Sequence, residues 1–335
     1  MNDLFRVLIV GGGSIGERHL RCFGQLQNVQ VGICTRCKET RIKLSDRYNT
    51  IYADSSLERA LRHDYDVAVI CTPSNLHVDM TITCANHDLH VLIEKPLSTD
   101  KNRLRDLISA VEANGVICGV GYTYRSFSSV QNLREALEQK ELGNIRQTVV
   151  HAGQEFFQFR PAYASTYFAS HQTGGGAIQD CLTHLLDCST YLIGPITKVC
   201  ADAHHKGLSG VSVEDTVHVL ARHGDIPACY ALNQYQAPNE TTVTIVGSDA
   251  TARLEIVRNS WSIMHKGETQ WKERYSDPVE RDVHFIRQAK CFLDAIYNGG
   301  KFTCSLSEGI ESLNATLAVL YSARTGGTWE DGVFA

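Results

Sequence analysis

No feature of this chain constrains its fold as tightly as the run Gly11-Gly12-Gly13-Ser14-Ile15-Gly16. A short apolar stretch, Phe5 to Val10, precedes it and suits a fully buried parallel strand, while Ser14 to Leu26 reads as a helix. The run fits G-x-G-x-x-G, in which Gly11 permits the tight turn, Gly13 lets backbone approach a pyrophosphate, and Gly16 allows close helix–strand packing. The first turn of the following helix would offer unpaired N–H groups and positive dipole to phosphates. Glycine runs also occur in plain turns, so the strand before and the helix after carry the reading. Gly11, Gly13, Ser14, Ile15 and Gly16 are therefore expected to touch a dinucleotide.

The alternation continues. Strand patterns at Val29 to Cys34, a short one beginning at Ile51-Tyr52, and others at Asp66 to Cys71, His90 to Ile93 and Val116 to Val120 are separated by helical patterns at Lys38 to Tyr48, Leu57 to Arg62, Leu76 to Asn86 and Lys101 to Asn114. Repeated βα units with short connections imply a doubly wound parallel sheet of the Rossmann type. Beyond Tyr122 the pattern changes. After a helix at Val130 to Gln139, strand patterns come at Ile145 to Ala152, Ile196 to His204, Thr216 to Arg222, Ala228 to Tyr235, Thr241 to Val246 and Ala252 to Val257. Helices are expected at Gly175 to Leu192, Arg281 to Tyr297 and Leu306 to Ala323. This predicts a second, α+β domain with an open, mostly antiparallel sheet, and a division into 1–121 and 122–335.

With 335 residues, two cores are expected. The net charge of -5 leaves no basic excess for a phosphate backbone, so nucleic acid is not an expected partner. No apolar run approaches the roughly 20 residues that span a bilayer, and the N-terminus enters a strand pattern without a cationic, then apolar, leader. No membrane association and a cytoplasmic location are expected. The twelve cysteines are scattered, and only Cys34 and Cys37 form C-x-x-C, so reduced and mostly buried thiols are expected rather than a disulfide framework.

Four further places carry candidate chemistry. At the end of the second strand, where an NAD-type site commonly has a carboxylate on the ribose, this chain has Cys34-Thr35-Arg36, with Lys38 close by. Thr35 and Arg36 would accept a 2′-phosphate, which leans the cofactor towards NADP; Arg36 stacked on adenine or facing solvent is the alternative. Cys71, Thr72, Pro73, Asn75 and His77 follow the fourth strand at the edge where such sheets bind ligands, although Thr-Pro-Ser-Asn is also an ordinary turn with Asn75 as an N-cap. Glu94-Lys95-Pro96 ends the next buried strand. Lys95 could donate to a substrate oxygen there, or Glu94 and Lys95 could simply form an ion pair at a loop. Asp180 and His184 are four apart and would share one face of an α-helix. Histidine suits removal of a hydroxyl proton, and a nearby carboxylate could orient it or bind a second hydroxyl. A plain surface pair is the alternative, and no third ligand with recognisable spacing points to a metal.

Taken in order, these elements resemble the Gfo/Idh/MocA family, which includes glucose–fructose oxidoreductases and inositol dehydrogenases. The resemblance rests on Gly11 to Gly16, Thr72-Pro73 with His77, Glu94-Lys95-Pro96, Gly121-Tyr122 with Tyr124-Arg125, and the glycine-rich entry to Asp180 and His184. It implies catalytic roles for Lys95, Asp180 and His184, with His184 as acid/base, Lys95 polarising the reacting oxygen and Asp180 orienting and binding. It also places Glu94 and Lys95 by the cofactor and Tyr122, Arg125, Tyr163, Asp180 and His184 by a sugar or polyol substrate. A homodimer or homotetramer formed through the sheet is implied as well. Two departures stand out: Leu182 replaces a frequent glycine, and a frequent tryptophan before the glycine-rich helix is missing where Phe156, Phe157, Arg160 and Tyr163 lie. The implied activity is hydride transfer between NAD(P) and a CH–OH or C=O carbon. The competing readings are a glycosidase with transient, NAD-dependent redox and a non-catalytic NADP sensor.

Overall fold

The computed structural model describes residues 4–159 and 167–332. The chain divides into two compact units, Met1–Thr123 with Glu280–Gly309, and Tyr124–Val279 with Ile310–Ala335.

In the first unit, β1 (Phe5–Val10), α1 (Ser14–Phe23), β2 (Val29–Cys34), α2 (Lys38–Tyr48), β3 (Ala53–Asp54), α3 (Leu57–Ala60), β4 (Val67–Ile70), α4 (His77–Ala85), β5 (His90–Ile93), α5 (Leu104–Ala113) and β6 (Cys118–Val120) alternate as the apolar pattern predicts. The six strands are parallel, in the order β3-β2-β1-β4-β5-β6. Strands such as Val67–Ile70 are buried throughout, as expected where helices cover a parallel sheet. The strand order reverses between β1 and β4, and the crevice at their carboxyl ends is where open α/β sheets bind ligands.

The second unit contains α6 (Ser128–Glu138), β7 (Ile145–Glu155), α7 (Phe156–Phe159), α8 (Thr183–Ile193), β8 (Lys198–His204), β9 (Thr216–His223), β10 (Ile226–Asn233), β11 (Tyr235–Gly247), β12 (Ala250–Glu255), β13 (Ser260–His265) and β14 (Lys272–Ser276). The chain then contributes α9 (Arg281–Tyr297) to the first unit, followed by α10 (Leu306–Arg324) and β15 (Glu330–Asp331). The sheet runs β14-β13-β12-β11-β7-β10-β9-β8-β15 and is antiparallel at every pairing except β7 with β10. Alternate residues of its strands, such as Val217, Val219 and Ala221, join Leu133, Leu186 and Val319 of the helices in one core. Their neighbours His218, Leu220 and Arg222 are exposed, giving the period-two pattern of a sheet with one open face.

Three expectations are corrected. First, β13 and β14 lie where no strands were expected, although Trp261 and Ile263 alternate as buried residues of β13. Second, the domain division at residue 121 leaves out a return of the chain. Glu280–Gly309 packs with the first unit because Asp282 of α9 accepts from Arg18 and Arg21 of α1, and Val120 N donates to Cys304 O along the edge of β6. Third, the expected α-helix from Gly175 is a π-helical turn over Ile178–Leu182 that continues as α8, and Asp180 lies inside that turn.

Candidate active site

At the switch point of the first unit each glycine answers to a different neighbour. Gly11 has φ of 112°, and a side chain there would meet Cys71 O at 2.5 Å. A Cβ on Gly16 would collide with Gly11 O. These two are demanded by packing of the loop, helix α1 and the end of β4. Gly13 is different: its backbone is extended, with φ -72° and ψ -177°, and an added Cβ meets no protein atom within 4 Å. Open space in front of Gly13, at the start of α1, fits a pyrophosphate approaching the backbone. Cys71 is buried beside the loop, and its thiol is pushed well above its ordinary pKa by burial.

Beyond β2, Thr35 is half-buried and Arg36 exposed. Arg41, which the sequence reading passed over, donates from Nη1 to Thr35 O at 2.9 Å and to Arg36 O at 3.4 Å, so a second guanidinium holds this loop. The carboxylate at the end of the neighbouring strand, Asp54, is paired with His63 Nε2 at 3.1 Å.

Lys95 is half-buried at the end of β5, and the residues on either side of it are pinned by buried histidines. Glu94 is 5% exposed; its Oε1 lies 2.6 Å from His19 Nε2 and its Oε2 accepts Lys95 N at 3.1 Å. Burial alone would raise the Glu94 pKa, but the His19 hydrogen bond and charge, with Lys95, hold it below the usual value. The peptide before Pro96 is cis, and Pro96 O lies 3.0 Å from His77 Nδ1. The other ring nitrogen of His77 lies 2.8 Å from Thr72 O, and burial depresses the His77 pKa. Glu94 and His77, expected at the cofactor, thus sit among the loops after β4 and β5, with their polar atoms beside His19, Lys95 N, Pro96 O and Thr72 O. Pro73 and Asn75 are exposed there, and Ser74–Leu76 is a 3-10 turn with Pro73, not Asn75, at its cap.

In the second unit Asp180 is 7% exposed and Tyr167 OH donates to its Oδ1 at 2.8 Å. His184, in the first turn of α8, is half-buried, with its ring centroid 5.0 Å from that of Tyr124. The helix changes from π to α between the two, so their four-residue spacing does not have the α-helical phase expected of it. Arg125, expected at the substrate, is fully buried. Its Nε donates to Asp187 Oδ2 at 3.0 Å and its Nη2 to Asp187 Oδ1 at 2.8 Å, and Ser312 Oγ donates to the same Oδ1. Tyr122, in the first unit, is buried at 1% exposure, while Arg160 and Tyr163 lie outside the described residues. No group of three His, Cys, Asp or Glu side chains among the described residues is arranged to hold a metal ion.

Residues 5–122 match the description of an oxidoreductase family with an NAD-binding Rossmann fold, and residues 130–253 match the GFO/IDH/MocA C-terminal domain. The chain belongs to the GFO/IDH/MocA oxidoreductase family. It is 24% identical over 251 residues to the scyllo-inositol 2-dehydrogenase (NADP(+)) IolU of Bacillus subtilis (strain 168), covering 72% of this chain and 76% of that one. It is 30% identical over 139 residues to the 4-carboxy-2-hydroxymuconate-6-semialdehyde dehydrogenase of Sphingobium sp. (strain NBRC 103272 / SYK-6), a match that spans 41% of this chain and 44% of that relative. Among solved structures, levoglucosan dehydrogenase in complex with NADH and levoglucosan superposes with a TM-score of 0.90 over 99% of this chain and 100% of that chain, at 20% identity. Membership makes the chain an NAD-binding oxidoreductase and accounts for both of its sheets. What sequence reasoning missed in this GFO/IDH/MocA member is the supporting layer: His19, Arg41, Tyr167, Asp187 and Glu214. Only Asp187 left a trace, as a carboxylate inside the apolar run Leu185-Leu186-Asp187-Cys188.

Proposed function

We propose that this chain is an NADP-preferring dehydrogenase or reductase acting on a CH–OH or C=O carbon of a sugar, inositol or related polyol. The observation that carries the reading is the glycine loop at the sheet's switch point, where Gly13 alone faces open space, in a chain of an NAD-binding oxidoreductase family. Preference for NADP rests on Arg36, Lys38 and Arg41 at the loop after β2, where no carboxylate follows Cys34, and on a relative named for NADP(+). When bound, the dinucleotide supplies the hydride acceptor or donor.

The chain's own residues do the rest. His184 takes the hydroxyl proton during oxidation and returns it during reduction. Lys95, with its backbone fixed between Glu94 and Pro96, polarises the reacting oxygen. Asp180 accepts from a substrate hydroxyl. Relatives named for scyllo-inositol and levoglucosan support the sugar and polyol class. The open face of the second sheet, where Val149 and Leu220 are exposed, is the surface for a homodimer or homotetramer. Seven of the twelve cysteines are buried, which suits a reducing, cytoplasmic compartment.

The test is fluorescence titration with NADPH and NADH, followed by a panel including scyllo-inositol and levoglucosan monitored at the nicotinamide absorbance. Tighter NADPH binding and net reduction of NADP+ by a polyol are expected. Glycoside cleavage with no net cofactor turnover would replace the reading with transient redox, and NADPH binding with no turnover across the panel would favour a sensor.

A further inference from the structure

The π turn that carries Asp180 is tied down by a carboxylate the activity does not use. The chain enters the turn through Gly174-Gly175-Gly176, where Gly174 and Gly176 have φ of 92° and 88°. A Cβ on Gly176 would lie 2.6 Å from Glu214 Oε1, so the entry runs directly along that carboxylate. Glu214 is 8% exposed, and three of its oxygens are engaged. Its backbone O accepts Ala177 N at 3.0 Å, its Oε1 accepts Ile178 N at 2.9 Å, and its Oε2 meets His171 Nε2. Arg324 Nη2 lies 3.2 Å from His171 Nδ1. A guanidinium can only donate, so Nδ1 is the acceptor and Nε2 carries the proton towards Glu214. The 167–176 loop also reaches Asp180 directly, through Tyr167 OH, and Thr173 Oγ1 donates back to Tyr167 O at 2.6 Å.

A carboxylate at the first turn of a helix is a common cap, and Oε1 alone would serve that end. The second oxygen does something else: through His171 and Arg324 it joins the backbone of the Asp180 turn to the loop that grips the Asp180 side chain. We propose that Glu214, backed by His171 and Arg324, is a positioning residue that sets the placement of Asp180 for substrate binding. The proposal rests on the role given to Asp180 above.

Glu214→Gln isolates this role. Its amide oxygen still accepts Ile178 N, so the cap survives, but its NH2 group faces the His171 N–H, donor against donor. In the full-length protein, amide exchange over Ile178–Leu182 is expected to rise at least tenfold, with NADPH affinity within twofold of wild type. With scyllo-inositol as probe, KM is expected to rise at least tenfold while kcat falls less than threefold. In an Asp180→Asn background the same substitution should change KM less than twofold, because residues acting through one group are not additive. Unchanged exchange over Ile178–Leu182, or a KM effect that adds in full to that of Asp180→Asn, overturns the proposal. If Asp180→Asn itself has wild-type kinetics, the role of Asp180 in the activity fails, and the exchange result alone then decides whether Glu214 sets this turn.

Discussion

A glycine can be required by the protein around it or by what the protein binds, and the loop after β1 contains both kinds. A Cβ on Gly16 collides with Gly11 O, so Gly16→Ala must move the backbone and is expected to cost about 1–3 kcal/mol in urea unfolding. Gly13 sits in an extended conformation with nothing near its missing Cβ. Gly13→Ala is therefore expected to leave the unfolding midpoint unchanged while weakening NADPH at least tenfold by fluorescence titration, and equal affinity would mean that no pyrophosphate approaches there. At the next loop, Arg36→Ala is expected to weaken NADPH more than NADH by about 1.5–3 kcal/mol, the cost of a charged hydrogen bond. Equal loss for both forms would make Arg36 an adenine contact. For His184, kcat/KM in the oxidation direction should rise with pH through one ionisation, since neutral imidazole must accept the proton. His184→Asn should remove that limb and lower the rate by roughly a hundredfold to ten-thousandfold. If the limb persists in the variant, Lys95 carries the proton instead.

Elements are held in register by pairs distant in sequence, and that distance governs what the sequence discloses. Periodicity and the glycine loop are local, so the parallel sheet and the rim positions of Lys95 and Thr72 could be read directly. His19 and Glu94 are 75 residues apart, Arg125 and Asp187 62 apart, and no local pattern joins them. The π turn escaped for a related reason: its register depends on Glu214, supplied from beyond β8, and apolar spacing does not encode that. Asp187 shows the energetic stake. Its carboxylate and the Arg125 guanidinium are both fully buried, fixing the segment before α6 to α8, and Ser312 of α10 adds a third bond. Removing one partner of such a pair strands a charge away from water. Asp187→Asn is expected to cost about 3–5 kcal/mol in urea unfolding. The double change Arg125→Met with Asp187→Leu should cost less than Asp187→Asn alone, because it leaves no unpaired charge. A double variant less stable than the single one would show that shape, not charge pairing, governs this contact.

Over the whole molecule, each unit buries a histidine whose charged form burial disfavours, and this shapes the stability of the chain in acid. His77 in the first unit and His223 in the second both have depressed pKa values, chiefly because burial penalises the charged ring; that of His223 falls from 6.5 to about 4, although its bond to Gly194 O works the other way. Between about 4 and 6.5 the unfolded chain holds a proton on His223 that the native chain does not. Stability must then rise with pH through this window, being complete above 6.5 and lost as the pH falls towards 4. The shift corresponds to about 3 kcal/mol from His223 alone. Glu94 and Asp215 act in the opposite sense at lower pH: burial raises their pKa values, but hydrogen bonds hold both below the ordinary carboxylate range. Their contribution is present above their unfolded values and is lost as the pH falls through the folded ones, so it adds a second, more acidic limb. Urea midpoints from pH 8 to pH 4 should therefore begin to fall near 6.5, before Glu94 and Asp215 contribute. His223→Gln, whose amide can still reach Gly194 O and Tyr230 OH, should be less stable at pH 8 yet lose much less on acidification. Parallel curves for the two proteins over this window would mean that His223 is not held neutral, and the first limb would belong to His77 and His90, whose pKa values burial also lowers.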